Sequence, residues 1–177
     1  MQIEMAFCGN PCGGTTFISR YLTNRGYECG HEACSNVYAR YPNYVGKVIK
    51  GDSSYVLIDF VCPEVPVVMI MRNLLDVLNA YIADKLQKYG SISVNDLMEE
   101  ILARYKKIEA RAIAVIRIEH DLQRLCDLTG IVFSEPTEEE KRSRVHNCGR
   151  VRLSWKDLKV QPAFKEFAAY HSRFYAT

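Results

Sequence analysis

The sequence predicts an α/β fold with a central parallel sheet flanked by helices in three layers. Short apolar runs alternate with segments of helical periodicity along the 177 residues, which is typical of a parallel sheet covered on both faces. A glycine-rich turn joins the first apolar run to the first helical segment. The length suits one domain, so we expect residues 1–177 to form a single unit whose ligand lies at the carboxyl ends of the strands.

The first half of the chain contains all but one of the predicted strands and the first predicted helix. Residues 3–8 form an apolar run that predicts the first strand. Residues 15–25 carry apolar side chains at helical spacing, and Gly26 is the expected stop. Residues 27–52 are rich in Tyr, Asn, Gly and Pro, and we expect an irregular segment there that faces the substrate. Two β-branched runs then predict strands at 55–60 and 65–71.

The second half of the chain is mostly helical in pattern. Residues 74–89 predict a helix closed by Gly90, and Ser93 or Asn95 is expected to cap a longer helix that ends near Ala112. The buried stripe of that longer helix is predicted to be Leu97, Ile101, Leu102, Tyr105 and Ile108. The remaining predicted elements are a strand at 114–118, a helix at 120–128, a polar loop or short helix at 136–150, and helices at 155–158 and 162–175.

The composition argues against nucleic-acid-binding and membrane proteins. The formal net charge is +2, and the chain lacks the dense basic stripe that binding to a phosphate backbone requires. No apolar run approaches the roughly 20 residues of a membrane span, and the amino terminus lacks the pattern of a signal peptide. We therefore expect a cytoplasmic protein that binds neither nucleic acid nor a membrane.

The cysteines are scattered along the chain and number seven. In a cytoplasmic protein such cysteines are usually reduced thiols that pack as small apolar residues. Cys29, His31 and Cys34 could form part of a zinc site, but no second pair of ligands clearly matches them, and we expect no metal. No sequence pattern indicates an oligomeric state.

The first turn has the composition of a phosphate-binding loop. Residues 9–16 read Gly-Asn-Pro-Cys-Gly-Gly-Thr-Thr between the first strand and its helix. Glycines let the backbone wrap closely around an anion, and the helix directs its N–H groups and its positive dipole end towards it. The spacing is that of the P-loop, except that Thr15 stands where that motif has its lysine. The absence of this lysine argues against nucleotide hydrolysis and favours a related protein that uses the loop differently.

Five segments, in order along most of the chain, resemble the P-loop sulfotransferase superfamily. Residues 11–16 are similar to its 5′-phosphosulfate loop, and residues 72–77, Arg-Asn-Leu-Leu-Asp-Val, are similar to its 3′-phosphate motif. Residues 118–122 resemble a later Glu-Asp-Leu segment of the family. Gly30-His31-Glu32 and residues 154–158 are similar to segments of its small bacterial members.

The resemblance implies transfer of a sulfuryl group from 3′-phosphoadenosine 5′-phosphosulfate to a hydroxyl or amine, without a metal. The acceptor would be a small molecule, a glycan end or an exposed side chain. Glu32, or else His31, would be the base that takes the acceptor proton, and Arg72 would bind the 3′-phosphate. The 5′-phosphosulfate would be bound by the loop residues Cys12, Gly13, Gly14, Thr15 and Thr16.

Two positions depart from the pattern of the family. Cys12 stands where the family has Lys or Arg near the leaving oxygen, and a missing donor there can cost orders of magnitude in rate. Ala80 stands where the family has a serine. Either another cation replaces the loop lysine, or the chain is a weak or inactive member. The candidate cations are Arg20 on the first helix and, in a late loop expected to close over the nucleotide, Arg144, Arg150 and Arg152.

Two other functions stay open. Residues 56–59 have the apolar-run-plus-Asp pattern of a Walker B strand, in which Asp59 would bind Mg²⁺ in a nucleotide kinase. The third hypothesis is a nucleotide-binding protein that has lost its catalytic activity. Glu119 and Asp121 are expected to cap the helix at 120–128 rather than to take part in chemistry.

Overall fold

Five parallel strands form the central sheet of this α/β protein. The computed structural model describes residues 3–33, 50–59, 61–143 and 152–175. The strands are β1 (Met5–Cys8), β2 (Cys29–His31), β3 (Gly51–Ser54), β4 (Val67–Met71) and β5 (Ala112–Arg117). Their order in the sheet is β2-β3-β1-β4-β5, and each neighbouring pair is parallel. The predicted fold class is confirmed.

Helices cover both faces of the sheet. They are α1 (Thr15–Thr23), α2 (Leu74–Tyr89), α3 (Val94–Glu109), α4 (Leu122–Thr129), α5 (Glu138–Ser143), α6 (Trp155–Leu158) and α7 (Phe164–Ser172). In β4, Val68 and Ile70 pack into the core under α1 and α4, whereas the alternate residues Val67, Met69 and Met71 pack into the core under α2, α3 and α7. Successive strand residues point to opposite faces, so this apolar strand is buried on both sides.

The second and third strands differ from the sequence prediction. β2 lies within residues 27–52, for which the composition predicts irregular structure, and β3 ends where a strand is predicted to begin. Residues 57–59 form a 3₁₀ turn instead. The sequence of β3, Gly-Asp-Ser-Ser, has low strand propensity, yet all four residues are buried. Two of its polar side chains form hydrogen bonds within the protein: Ser53 Oγ donates to the Thr15 carbonyl (2.9 Å), and Asp52 Oδ1 accepts from the Ala33 N–H (3.0 Å).

Helices α2 and α3 follow the sequence prediction. α2 begins after Asn73, whose side chain accepts a backbone hydrogen bond (3.0 Å), and it ends at Gly90 with a φ of 75°. α3 begins after Ser93, whose side chain also accepts a backbone hydrogen bond, so Ser93 rather than Asn95 is the cap. The predicted stripe of α3 is buried throughout: Leu97, Ile101, Leu102, Tyr105 and Ile108.

Within the described ranges, no helix combines the length and the apolar character that crossing a bilayer requires.

Candidate anion-binding site

The crevice of the fold lies at the carboxyl ends of β1 and β4. β1 is the middle strand, with β3 on one side and β4 on the other. After β1 the chain continues to β2 at one edge of the sheet, and after β4 it continues to β5 at the other edge. The connections that follow these two adjacent strands therefore run to opposite sides of the sheet. Ligands of open parallel sheets bind at such a switch point. The loop 9–14 and Arg72 follow these two strands, and Arg72 Nη1 donates to the Cys12 carbonyl (3.3 Å).

The loop between β1 and α1 is tightly folded. Cys12 and Gly14 have positive φ angles of 59° and 96°, and the Gly13 N–H donates to the Asn10 carbonyl (2.9 Å). A Cβ atom on Gly13 would lie 2.7 Å from the same carbonyl oxygen. A larger residue at position 13 therefore requires the loop backbone to move.

The amino-terminal end of α1 faces the crevice with its positive dipole end. The helix has nine residues, Gly14 occupies the cap position, and within the described residues no side chain caps it. Its first turn contains no acidic residue. Such a helix end attracts anions, so the start of α1 supplies positive potential where the sequence predicts an anion.

A cavity of about 460 Å³ opens beside the loop. Its wall brings the predicted loop residues together with both predicted bases: Cys12, Gly14, Thr15, Thr16, His31 and Glu32. The rest of the wall comes from Pro11, from Tyr55 after β3, and from one face of α2. Gly13 and Arg72 lie outside this lining.

Hydrogen bonds on both ring nitrogens orient His31. Nδ1 lies 2.8 Å from the Ser53 carbonyl oxygen, which can only accept, so Nδ1 carries a proton. Nε2 lies 2.9 Å from Thr16 Oγ1, and in the neutral ring it accepts from that hydroxyl. The imidazole therefore connects β3 to the first turn of α1 and presents Nε2 at the cavity.

Glu32 is positioned by the same carbonyl. Its N–H donates to the Ser53 carbonyl (3.1 Å), its φ is 57°, and it is buried on the cavity wall. A left-handed backbone is uncommon for a residue other than glycine, and such conformations cluster at functional sites. One backbone atom of β3 therefore contacts both the His31 ring and the backbone of Glu32.

Arg72 supports the loop from the side of β4. Besides its bond to the Cys12 carbonyl, its guanidinium lies 4.0 Å from the Asp76 carboxylate, one turn into α2. The side chain is 12% exposed.

The cap prediction is confirmed for the position of Asp121 but not for Glu119. Asp121 occupies the cap position of α4 but makes no cap bond. Its carboxylate pairs with Arg117 (2.7 Å), and this hydrogen bond lowers the pKa of the carboxyl group. Glu119 accepts from the Asn73 N–H (3.3 Å) and from the Tyr175 hydroxyl (2.7 Å). Glu119 therefore supports the backbone that follows β4, next to Arg72.

The sequence interpretation missed the α2 side of the cavity. Tyr81, Asp84, Lys85, Lys88 and Tyr89 line it. Their spacing of three and four residues on a helix that starts directly after the Arg72 strand is the signal that could have located them.

The cations expected to replace the loop lysine do not line the cavity in the described part of the chain. Arg20 is exposed on α1, and Arg152 is exposed just before α6. Arg144 and Arg150 lie outside the described residues. Ala80, in the position of the family's serine, is buried in α2.

The structure tests one of the two metal sites that the sequence left open. Asp59 lies in the 3₁₀ turn and pairs with Lys107 of α3, so the predicted strand at 56–59 is wrong. Burial raises the pKa of the Cys29 thiol well above its usual range, and Cys34 lies outside the described residues. Among the residues that the structure describes, no three His, Cys, Asp or Glu side chains are grouped to hold a metal ion.

Comparison with protein-family models and with curated proteins finds no match to this chain.

Proposed function

We propose that this protein binds 3′-phosphoadenosine 5′-phosphosulfate at the loop 9–14 and transfers its sulfuryl group to a hydroxyl or amine acceptor. The observation that carries the proposal is one cavity that joins the glycine loop, the start of α1 and two candidate bases. Group transfer needs an anion site and a base within reach of one reacting centre. The five segments that resemble sulfotransferases support the identity of the donor.

The proposed reaction is a direct displacement at sulfur. The acceptor oxygen or nitrogen forms a bond to sulfur while the bond from sulfur to the 5′-phosphate oxygen breaks, and adenosine 3′,5′-bisphosphate leaves. The acceptor proton passes to the Glu32 carboxylate or to His31 Nε2. Because the Ser53 carbonyl keeps a proton on Nδ1, Nε2 is the basic nitrogen of the neutral ring, and it takes up the acceptor proton once the Thr16 hydroxyl, 2.9 Å away, turns from it.

Arg72 is assigned to the 3′-phosphate. Its guanidinium has five N–H donors, and the structure uses one at 3.3 Å for the Cys12 carbonyl. Its contact with Asp76 is long, at 4.0 Å, and that carboxylate is 57% exposed. An exposed ion pair of this kind contributes about 0–1 kcal/mol, so a phosphate can displace it.

A nucleotide kinase has less support. That function requires a carboxylate that holds Mg²⁺ beside the bound phosphates, whereas Asp59 pairs with Lys107 outside the cavity lining. The non-catalytic alternative is supported by Cys12, since no cation stands at that loop position.

The first prediction concerns the choice of nucleotide. In calorimetric titrations, the protein is expected to bind adenosine 3′,5′-bisphosphate without Mg²⁺, and more tightly than ATP with Mg²⁺. Arg72→Ala should weaken bisphosphate binding about 10-fold or more, because a charge-assisted contact is lost. The same substitution should change the affinity for adenosine 5′-monophosphate much less.

The control is Arg124→Ala, which removes an exposed arginine of α4. Binding of ATP only in the presence of Mg²⁺ would overturn the proposal in favour of a kinase. Binding of the bisphosphate without sulfate transfer to a broad panel of phenols, amines and sugars would favour the non-catalytic alternative.

A further inference from the structure

The α2 side of the cavity carries a cation to which the proposed reaction gives no role. Lys85 is half-buried and lines the cavity. Its ammonium nitrogen lies 5.0 Å from the ring centroid of Tyr81 and 5.4 Å from that of Tyr89. Residues spaced by four share one helix face, and aromatic rings within about 6 Å attract a cation. The two rings therefore hold this ammonium group at the cavity wall.

The ring of Tyr81 is fixed from behind by α3. Its hydroxyl donates to Glu100 Oε1 (2.6 Å), and Glu100 lies near Arg104 on the same helix (3.9 Å). Arg104 in turn donates to the carbonyl of Tyr55 (2.9 Å), another residue of the wall. Contacts with α3 therefore hold the α2 side of the cavity in place.

Lys85 differs from Lys88, the lysine of the next turn. Lys88 forms an ion pair with Asp84 (2.8 Å), and its side chain is 58% exposed. Lys85 makes no ion pair with any of the described residues, and its ammonium group lies over the rings of Tyr81 and Tyr89. A half-buried cation without a carboxylate partner favours an anion from the cavity it faces.

We infer that Lys85 binds a sulfate or phosphate group in the cavity, so that α2 supplies positive charge to a cavity whose loop has no cation at Cys12. The inference rests on the proposed function for its setting, since Cys12 and Lys85 line the same cavity. The anionic group has two possible sources: the 5′-terminal sulfate of the donor, or a charged group on the acceptor. Either source uses the same ammonium–oxyanion contact.

The test is a set of calorimetric titrations with three probes. Adenosine 3′,5′-bisphosphate and 3′-phosphoadenosine 5′-phosphosulfate differ only in the sulfuryl group, and glucosamine 6-sulfate, titrated both alone and with excess bisphosphate, represents a charged acceptor. Lys85→Met is expected to weaken binding of the phosphosulfate or of the sulfated sugar about 10- to 100-fold, because one charge-assisted contact is lost. Binding of the bisphosphate should change by much less.

Three further variants separate this role from a structural one. Lys85→Arg should restore most of the lost affinity, because it keeps the charge. Lys88→Met should have a smaller effect, because its charge is already neutralised by Asp84. Lys165→Met, which removes an exposed lysine of α7, should have none. Far-ultraviolet circular dichroism and the urea midpoint establish that each variant is folded.

The outcomes distinguish the inference from the proposed function. Loss for the phosphosulfate alone identifies the donor as the source of the anion, and loss for the sulfated sugar alone identifies the acceptor. If the wild-type protein binds the phosphosulfate, and Lys85→Met binds the phosphosulfate and the sulfated sugar as tightly as the wild type does, the inference is wrong and the proposed function stands. If neither nucleotide binds but the sulfated sugar binds through Lys85, the proposed function is wrong and the anion site stands.

Discussion

Single backbone atoms determine the arrangement of the candidate site. The Ser53 carbonyl accepts hydrogen bonds from both the His31 ring and the Glu32 N–H. The Asn10 carbonyl closes the loop by accepting from the Gly13 N–H. The position of a backbone carbonyl oxygen is set by the hydrogen bonds of the sheet and not by the side chain of its residue. Ser53 can therefore have this role although the sequence of β3 has low strand propensity.

The glycine at position 13 provides a prediction about the loop. A Cβ there would lie 2.7 Å from the Asn10 carbonyl oxygen, so Gly13→Ala forces the loop backbone to move. We expect the free energy of unfolding to fall by about 1–3 kcal/mol and bisphosphate affinity to fall as well. Urea denaturation and calorimetry measure the two effects.

Gly26→Ala is the matched control for this prediction. Gly26 has a φ of 86°, but nothing lies within 4 Å of the position its Cβ would take. Its substitution should cost about 1–2 kcal/mol through backbone strain and leave bisphosphate affinity unchanged. Equal affinities for the Gly13 and Gly26 variants would show that the tight turn is not required for binding.

Helix α5 is held to α1 by one ion pair with little solvent exposure. Arg25, after α1, pairs with Glu140 of α5 at 2.8 Å, and the two side chains are only 9% and 2% exposed. Arg25 also stacks on the Tyr21 ring, with 3.5 Å between the guanidinium carbon and the ring centroid. Glu140 accepts further hydrogen bonds from the Asn24 side chain and the Thr137 N–H. This pair anchors the segment that precedes residues 144–151.

Breaking this pair is expected to destabilise the protein strongly. Arg25→Met removes the guanidinium from a buried ion pair, and breaking such a pair costs about 3–5 kcal/mol. Glu140→Met added to Arg25→Met should recover part of that loss, because the buried carboxylate is then removed together with its partner. Urea unfolding of the two single variants and the double variant gives the coupling energy. Additive losses in the double variant would contradict the assignment of a coupled pair.

The stability of the whole molecule should depend on pH through three groups. Burial lowers the pKa of His171 below its ordinary value of 6.5. Burial would raise the pKa of Glu140, but the hydrogen bonds from Arg25, the Thr137 N–H and Asn24 outweigh it, and the pKa lies below 4.5. The hydrogen bond from Arg117 lowers the pKa of Asp121 below 3.8. In each case the unfolded chain binds protons more readily than the folded one, so acid favours unfolding.

We therefore expect two stages of acid destabilisation. The free energy of unfolding should begin to fall below about pH 6.5, as His171 of the unfolded chain takes up a proton, and should fall more steeply below about pH 4.5 as the two carboxyl groups do so. Urea unfolding between pH 3 and pH 8 measures the curve. His171→Phe should remove the first stage only, and Glu140→Gln should reduce the second. A first stage that persists in His171→Phe would exclude this histidine as its cause.

The sequence was sufficient for everything that depends on local chemistry. The periodicity of residues 74–89 and of the helix after Ser93, the stops at Gly26 and Gly90, and the glycine turn after the first strand all follow from short-range preferences of the chain. Those features were enough to predict an α/β sheet with its crevice at the loop 9–14. The resemblance to sulfotransferases also comes from the residues alone, and it remains a prediction.

Contacts between distant segments decided the rest. β3 is a strand because its neighbours β1 and β2 supply partners for a polar sequence that would not choose this conformation alone. Lys85 belongs to the cavity because the packing of α2 turns that helix face towards residues more than 50 positions away in the chain. Local preferences report only the neighbours of a residue along the chain, whereas a binding site is defined by which segments meet across the sheet. The helices and the loop side of the cavity could therefore be predicted from the residues, whereas strands β2 and β3 and the α2 side of the cavity could not.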